Sequence, residues 1–316
     1  MTLTNYDYDH SYLILNSTNQ HPFKSPIVTT PMKTSRFLLY IAVAALAMSS
    51  CDKIDADENG NFITFSGVSG QWENGSAVTD HTHRVMLEKY TGCHCPNCPR
   101  ADVTINTEME TFGDKLVVMA IHDGIDRFSE PFAGFADLRS EVGKTWSQYF
   151  KIQPQGYPCA LLSRQMENGA TQYEFPSDDL SNKIQAIIDQ EPLVAISVAS
   201  NRSGNTATIT ASVEYLDNVP DDLTLTLVVI EDGLHSAQQN GPNVDSNYTH
   251  NHVLRSAITD PWGVHVDANG IKGTCSQAKF VFNDIKSEWI AENCHVVAFI
   301  SKKDTREILN VAECEL

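Results

Sequence analysis

Thr91-Gly92-Cys93-His94-Cys95-Pro96-Asn97-Cys98-Pro99 is the stretch whose reading decides the fold. Just before it, Arg84 to Tyr90 is a β-prone run that ends at Gly92. Just after it, Ala101, Ile105, Met109 and Phe112 repeat at helical spacing, and Gly113 supplies a stop. Cys95 and Cys98 thus form a C-x-x-C where a strand meets a helix N-terminus. The unpaired N–H groups of such a terminus favour negative charge and give Cys95 thiolate character. Cys98, about one turn on, is placed to close a disulfide with it or to resolve a mixed disulfide.

The flanking sequence alternates strand and helix. Leu116 to Ile121 is a nearly continuous apolar strand, as in the middle of a covered sheet. Phe135, Leu138, Val142, Trp146 and Tyr149 mark an amphipathic helix. A short strand, Ala160 to Leu162, follows Pro158. A last helix is expected from about Ser177, with Asp178 and Asp179 in its first turn and Leu180, Ile184, Ile187 and Ile188 on its buried face. This order is similar to that of thioredoxin-like α/β domains, in which a cis-proline faces the C-x-x-C. Gly156-Tyr157-Pro158 occupies the matching position, although the isomer is not readable from sequence. The resemblance implies that Tyr157 and Pro158 form a wall aligning an incoming chain. Cys93, two residues upstream of the pair, and Cys159, directly after Pro158, depart from the pattern. Either can divert the disulfide.

After Glu191-Pro192 the character changes. Ala207, Ile209, Ala211, Val213 and Tyr215 alternate with polar residues, as do Leu223, Leu225, Leu227 and Val229. Further strands are expected at 193–199, 251–256, 278–283, 295–301 and 308–314. The fold class expected is an α/β thioredoxin-like domain over 75–191, followed by an all-β, immunoglobulin-like sandwich over 192–316. A hairpin near 303–306 would bring Cys294 and Cys314 together as a structural disulfide, although connectivity does not follow from sequence.

One segment carries an address. Phe37 to Met48 is apolar, is preceded by Lys33 and Arg36, and is followed by Ser49-Ser50-Cys51. A charged start, a short apolar run and small residues make a signal peptide over 32–51, too short to span a bilayer. Met48 to Cys51 resembles a bacterial lipobox, which implies acylation of Cys51 and a stable lipid anchor. Residues 1–31 are read as a misassigned upstream extension, and 52–74 as a flexible tether. Leaving out residues 1–51 moves the formal charge only from −18 to −19, because Lys24, Lys33 and Arg36 stand against Asp7 and Asp9. Such a surface repels nucleic acid, so the membrane is the expected partner through its lipid, with exported disulfide-bearing proteins or a surface ligand beyond it.

Leu87 to Gly92, Cys95 to Pro99, Gly156 to Pro158 and Tyr248-Thr249-His250-Asn251-His252-Val253-Leu254-Arg255 together resemble the twenty-eight-kilodalton outer-membrane-protein family of Bacteroidetes lipoproteins. The resemblance implies a location at the cell envelope, periplasmic or surface-exposed, and brings no settled activity. Three readings of Cys95 and Cys98 stay open: a dithiol for exchange on exported proteins, a permanent disulfide in a binding or adhesion scaffold, and a metal site drawing on Cys93, His94 and His122. No metal site and no cofactor is expected, because a second well-spaced ligand pair is lacking. His81 and His83 read as solvent-facing. His250 and His252 would share a strand face, with packing the plainer role. Asp123 and Asp126 could assist proton transfer, but surface carboxylates are commoner. Phosphate loops, nucleophile elbows and paired-histidine protease motifs do not occur in the sequence, so kinase, lipase and metalloprotease readings fall away.

Overall fold

Val85 to Thr91 is buried along its whole length, which happens only when both faces of a strand are covered. The computed structural model describes residues 72–174 and 179–316. The upstream extension, the signal segment, Cys51, Ser177 and Asp178 lie outside the described residues. In chain order the strands of the first half are β1 (Trp72–Asn74), β2 (Val85–Thr91), β3 (Leu116–His122), β4 (Cys159–Leu162), β5 (Met166–Glu167) and β6 (Ala170–Thr171). Its helices are α1 (Cys98–Phe112), α2 (Glu141–Tyr149) and α3 (Leu180–Ile188). The second half adds β7 (Val194–Ser203), β8 (Thr206–Tyr215), β9 (Leu223–Glu231), β10 (Leu234–Asn240), β11 (Asn243–His250), β12 (Val253–Ala257), β13 (Val264–His265), β14 (Cys275–Phe282), β15 (Cys294–Lys302) and β16 (Ile308–Glu315). The described fold is mostly β-sheet with few helices.

One eight-stranded sheet runs β16-β15-β9-β12-β3-β2-β4, with β13 also paired to β9. β2 and β3 are parallel neighbours joined by α1, and β3 pairs in parallel with β12, Ala120 opposite Val253. The division expected at residue 191 is therefore crossed by hydrogen-bonded strands, and all described residues belong to one compact unit. One face of the sheet carries a core shared by both halves: Met86, Tyr90, Met119 and Ile121 pack with Trp146 of α2 and with Val228, Ile230 and Phe299. The opposite face is split. Val85, Leu87 and Val118 pack under Ile105 of α1 and Ile184 of α3. The alternating residues of β9 and β15 pack against a second, four-stranded sheet, β1-β14-β8-β7.

β2 carries one charge into each face, and each needs a counter-charge. Glu88 is fully buried and takes a bidentate pair from Arg164 at 2.8 and 2.7 Å. The Arg164 guanidinium also lies 4.5 Å from the Trp146 ring centre and 5.1 Å from that of Phe299. Lys89, on the other face, pairs closely with Asp102 of α1.

Three local expectations are corrected. Residues 72–74 are not tether: they form β1 at the edge of the smaller sheet, where Trp72 packs on the core. The helix expected from Phe135 begins at Glu141, because the Ser140 side chain caps it, accepting from the Gly143 N–H at 3.2 Å. Just upstream, Asp137 holds the Arg139 backbone N–H at 3.0 Å, a local bond that competes with helix. Cys294 and Cys314 are both free. Register places Cys314 opposite Val296, while the Leu316 N–H donates to the Cys294 carbonyl. The two cysteines are thus diagonal neighbours, roughly 7–8 Å apart, beyond disulfide reach.

Candidate functional site

Cys95 and Cys98 are joined by a disulfide, with Cα atoms 5.5 Å apart, at the entry to α1. Pro99 stands in the first turn of α1, where its missing N–H costs nothing. Gly92 lets the backbone of Phe128 and Ser129 approach closely: a Cβ there would fall 2.2 Å from the Phe128 carbonyl oxygen. The His94 N–H donates to that carbonyl at 2.9 Å, and the His94 ring stacks on Phe132, centroids 3.8 Å apart. Tyr157–Pro158 is a cis bond. Because Cys159 is registered opposite Tyr90, Pro158 enters β4 at the same sheet end at which the C-x-x-C loop leaves β2.

The sulfurs are covered: Cys95 and Cys98 are each 1% exposed. The backbone around the pair is held by the β10–β11 hairpin, a two-stranded sheet of its own. The Gln239 N–H donates to the Cys93 carbonyl at 2.7 Å and the Gly241 N–H to the Pro96 carbonyl at 3.0 Å. The buried Gln238 side chain donates from Nε2 to the Gly92 and Cys95 carbonyls at 3.1 and 3.0 Å. A shift of register between Ser236 and Gln238 aims that side chain inward. From α1, the Asp102 carboxylate accepts from the Tyr248 hydroxyl of β11 at 2.7 Å.

The two extra cysteines of the first half do not divert the bond. Cys93 and Cys159 are free and fully buried, and burial pushes their thiols up to about 11 and about 12. Asp123, read as a surface carboxylate, is instead buried. It accepts from the Tyr157 hydroxyl at 2.6 Å, from the Ser147 hydroxyl, and from the Ile125 N–H at 3.0 Å. Burial, then the neighbouring Asp123, push the Tyr157 phenol up. Tyr157 is thus tied inward beside Pro158.

The histidines separate. His81 lies 3.6 Å from Glu214, and His83 shares a hydrogen bond with the Gln190 carbonyl at 2.9 Å. His250 ends β11, whereas His252 sits in the turn before β12 with φ of 57°, so the expected common strand face does not exist. His252 instead lies 3.2 Å from Asp232. Among the described residues, no group of three or more His, Cys, Asp or Glu side chains is arranged to hold a metal ion.

Sequence reasoning missed the covering hairpin. Gly241-Pro242 between two runs is its signal, with glycine at the first central position of a two-residue hairpin loop, and Gly241 does take φ of 55°. The flanks are polar, so hydrophobic alternation did not mark them.

The family model of the outer membrane protein Omp28 matches residues 144–316, more than half of the chain. The chain belongs to the Omp28 outer membrane protein family. The match begins inside α2, upstream of residue 191, and takes in the hairpin. This Omp28 family member is accordingly placed at the cell envelope, at the outer membrane. Among solved structures it is similar to HBP35 of Porphyromonas gingivalis, at 17% identity and a TM-score of 0.57, covering 75% of this chain and 76% of that one. That likeness concerns the fold alone. A domain of the outer membrane lipoprotein Omp28 from the same organism aligns at 18% identity and a TM-score of 0.29, over 40% of this chain and 88% of that one. No curated protein matches the chain in sequence.

Proposed function

We propose that this Omp28 family member is a non-catalytic binding lipoprotein of the cell envelope, built on a thioredoxin-like scaffold whose C-x-x-C has become a structural disulfide. The observation that carries the reading is the cover. Both cysteines are 1% exposed, and the hairpin bonds the backbone on either side of them. An exchange catalyst must let an incoming disulfide reach the attacking sulfur, and a pair this buried, with the hairpin bonded to the backbone around it, does not offer that access. The β2-α1-β3 unit with the pair at the helix entry, and Pro158 at the same sheet end, support the thioredoxin-like ancestry. Acylation of Cys51 would hold the protein on the membrane, and the immunoglobulin-like arrangement would describe the layers built on β7–β9 and β14–β16.

A second reading rests on the hairpin being a separate sheet: displaced by a partner, it would uncover Cys95 as attacking thiol and Cys98 as resolving thiol, with Tyr157 and Pro158 as the wall. One measurement separates the two. Equilibration of the folded chain in redox buffers, followed by mass mapping of alkylated thiols, gives the potential of the pair. A pair oxidised below about −300 mV supports the structural reading, and one that cycles between about −120 and −270 mV overturns it.

A further inference from the structure

Beneath the hairpin, on the α1 face of the sheet, lies a cavity of about 50 Å³ lined by His122, His250, Lys89, Asp102 and Tyr248, with exposed Asn106, Thr249 and Asn251 at its mouth. His122 ends β3 and His250 ends β11; they are 1% and 6% exposed. Neither ring nitrogen of His122 has a hydrogen-bond partner, and Nε2 of His250 has none. Polar nitrogens left unpaired in a protein interior are rare and costly, so three lining one cavity call for an occupant. The other His250 nitrogen is bonded to the Ser236 backbone. That backbone bond orients the imidazole as a metal ligand is usually oriented. The two ring centres are 5.5 Å apart, edge to face. Two imidazoles sharing an ion through nitrogens about 2.0–2.1 Å from it have centres roughly 5–6 Å apart.

We propose that His122 and His250 form a buried two-imidazole site for a transition-metal ion, best fitted to copper(I). Imidazole suits copper and zinc alike. Zinc asks for four ligands, and the described residues offer no third side chain arranged for it. Copper(I) accepts two or three, and water through the mouth can complete them. Its single charge is also the smaller burden in a buried place. The nearby Lys89 ammonium is paired closely with Asp102, which reduces the repulsion that an entering cation meets.

The test is an anaerobic titration of the full chain with copper(I) against a chromogenic chelator, with ascorbate as reductant, followed by X-ray absorption on the loaded protein. A single equivalent is expected, with only nitrogen or oxygen scatterers, abolished in His122→Gln and in His250→Gln and kept in the exposed-site control His265→Gln. Sulfur scatterers, or retention of the ion in both variants, would overturn the site. So would absence of binding, in which case ordered water fills the cavity. Should a variant misfold, imidazole nitrogen shifts of the unaltered chain with and without copper decide, since only coordinated rings move. The outcome is independent of the redox behaviour of Cys95–Cys98, so failure of either reading leaves the other standing.

Discussion

Gln238→Ala should open the disulfide to reductant without unfolding the protein. The Gln238 amide spreads two protons over three carbonyls, those of Gly92, Cys95 and Gln239, at 3.1, 3.0 and 3.0 Å. Two hydrogen bonds at about 0.5–1.5 kcal/mol each give a loss of about 1–3 kcal/mol for the docked hairpin. At 1.4 kcal/mol per tenfold, the undocked state becomes about 5- to 150-fold more populated. The backbone bonds from Gln239 and Gly241 survive, so the hairpin still docks. Because Cys95 and Cys98 are each 1% exposed, attack by a phosphine or dithiothreitol is expected to wait for undocking, and its rate should rise by that factor. The assay follows the Cys95–Cys98 peptide by quenched alkylation and mass spectrometry, with urea unfolding alongside. Gln239→Ala is the control, since its side chain bonds only Gly241 and Asn243 within the turn. Reduction of Gln238→Ala at the unaltered rate would refute the argument and show that reductant reaches the sulfurs past a docked hairpin.

Glu88→Gln leaves the Arg164 charge buried without its carboxylate and should cost about 3–5 kcal/mol in denaturant unfolding; replacing Glu88 and Arg164 together by apolar residues should recover most of it. Gly92→Ala forces a Cβ against the Phe128 carbonyl and should lower stability by about 1–3 kcal/mol, read as a falling Tm; an unchanged Tm would show that the 126–129 loop yields freely. Burial holds Cys159 and Cys294 up to about 12 and Cys93 up to about 11. Below about pH 7.5, a unit under the unfolded thiol's ~8.5, both folded and unfolded chains keep these protons, so stability is insensitive to them. Above it only the unfolded chain releases them, and stability should fall by up to about 1.4 kcal/mol per pH unit per thiol. Urea unfolding at pH 8 and pH 10 measures the loss, and Cys159→Ala should make it shallower.

Much of this architecture is legible residue by residue. The apolar run Leu116 to Ile121, the alternation from Ala207 to Tyr215 and the C-x-x-C at a strand–helix junction are local patterns, and local geometry follows from side-chain period and helix-end chemistry. What the pattern does not carry is partnership between distant segments. β12 reads as one more strand of the second half, yet its place beside β3 merges the two halves into one sheet. That choice is made by burial on both faces and by register, neither of which is a property of a short stretch. The polar residues tell the same story: Glu88 finds Arg164 76 positions on, and Gln238 finds Gly92 146 positions back. The free energy of a buried charge or amide depends on what is packed beside it, so the sequence marks these residues as unusual without naming their partners. For the same reason the sequence by itself determined that Cys95 and Cys98 would stand at the entry to α1. Only the tertiary structure decided that the hairpin would lie over them, and that His122 and His250 would meet beneath it.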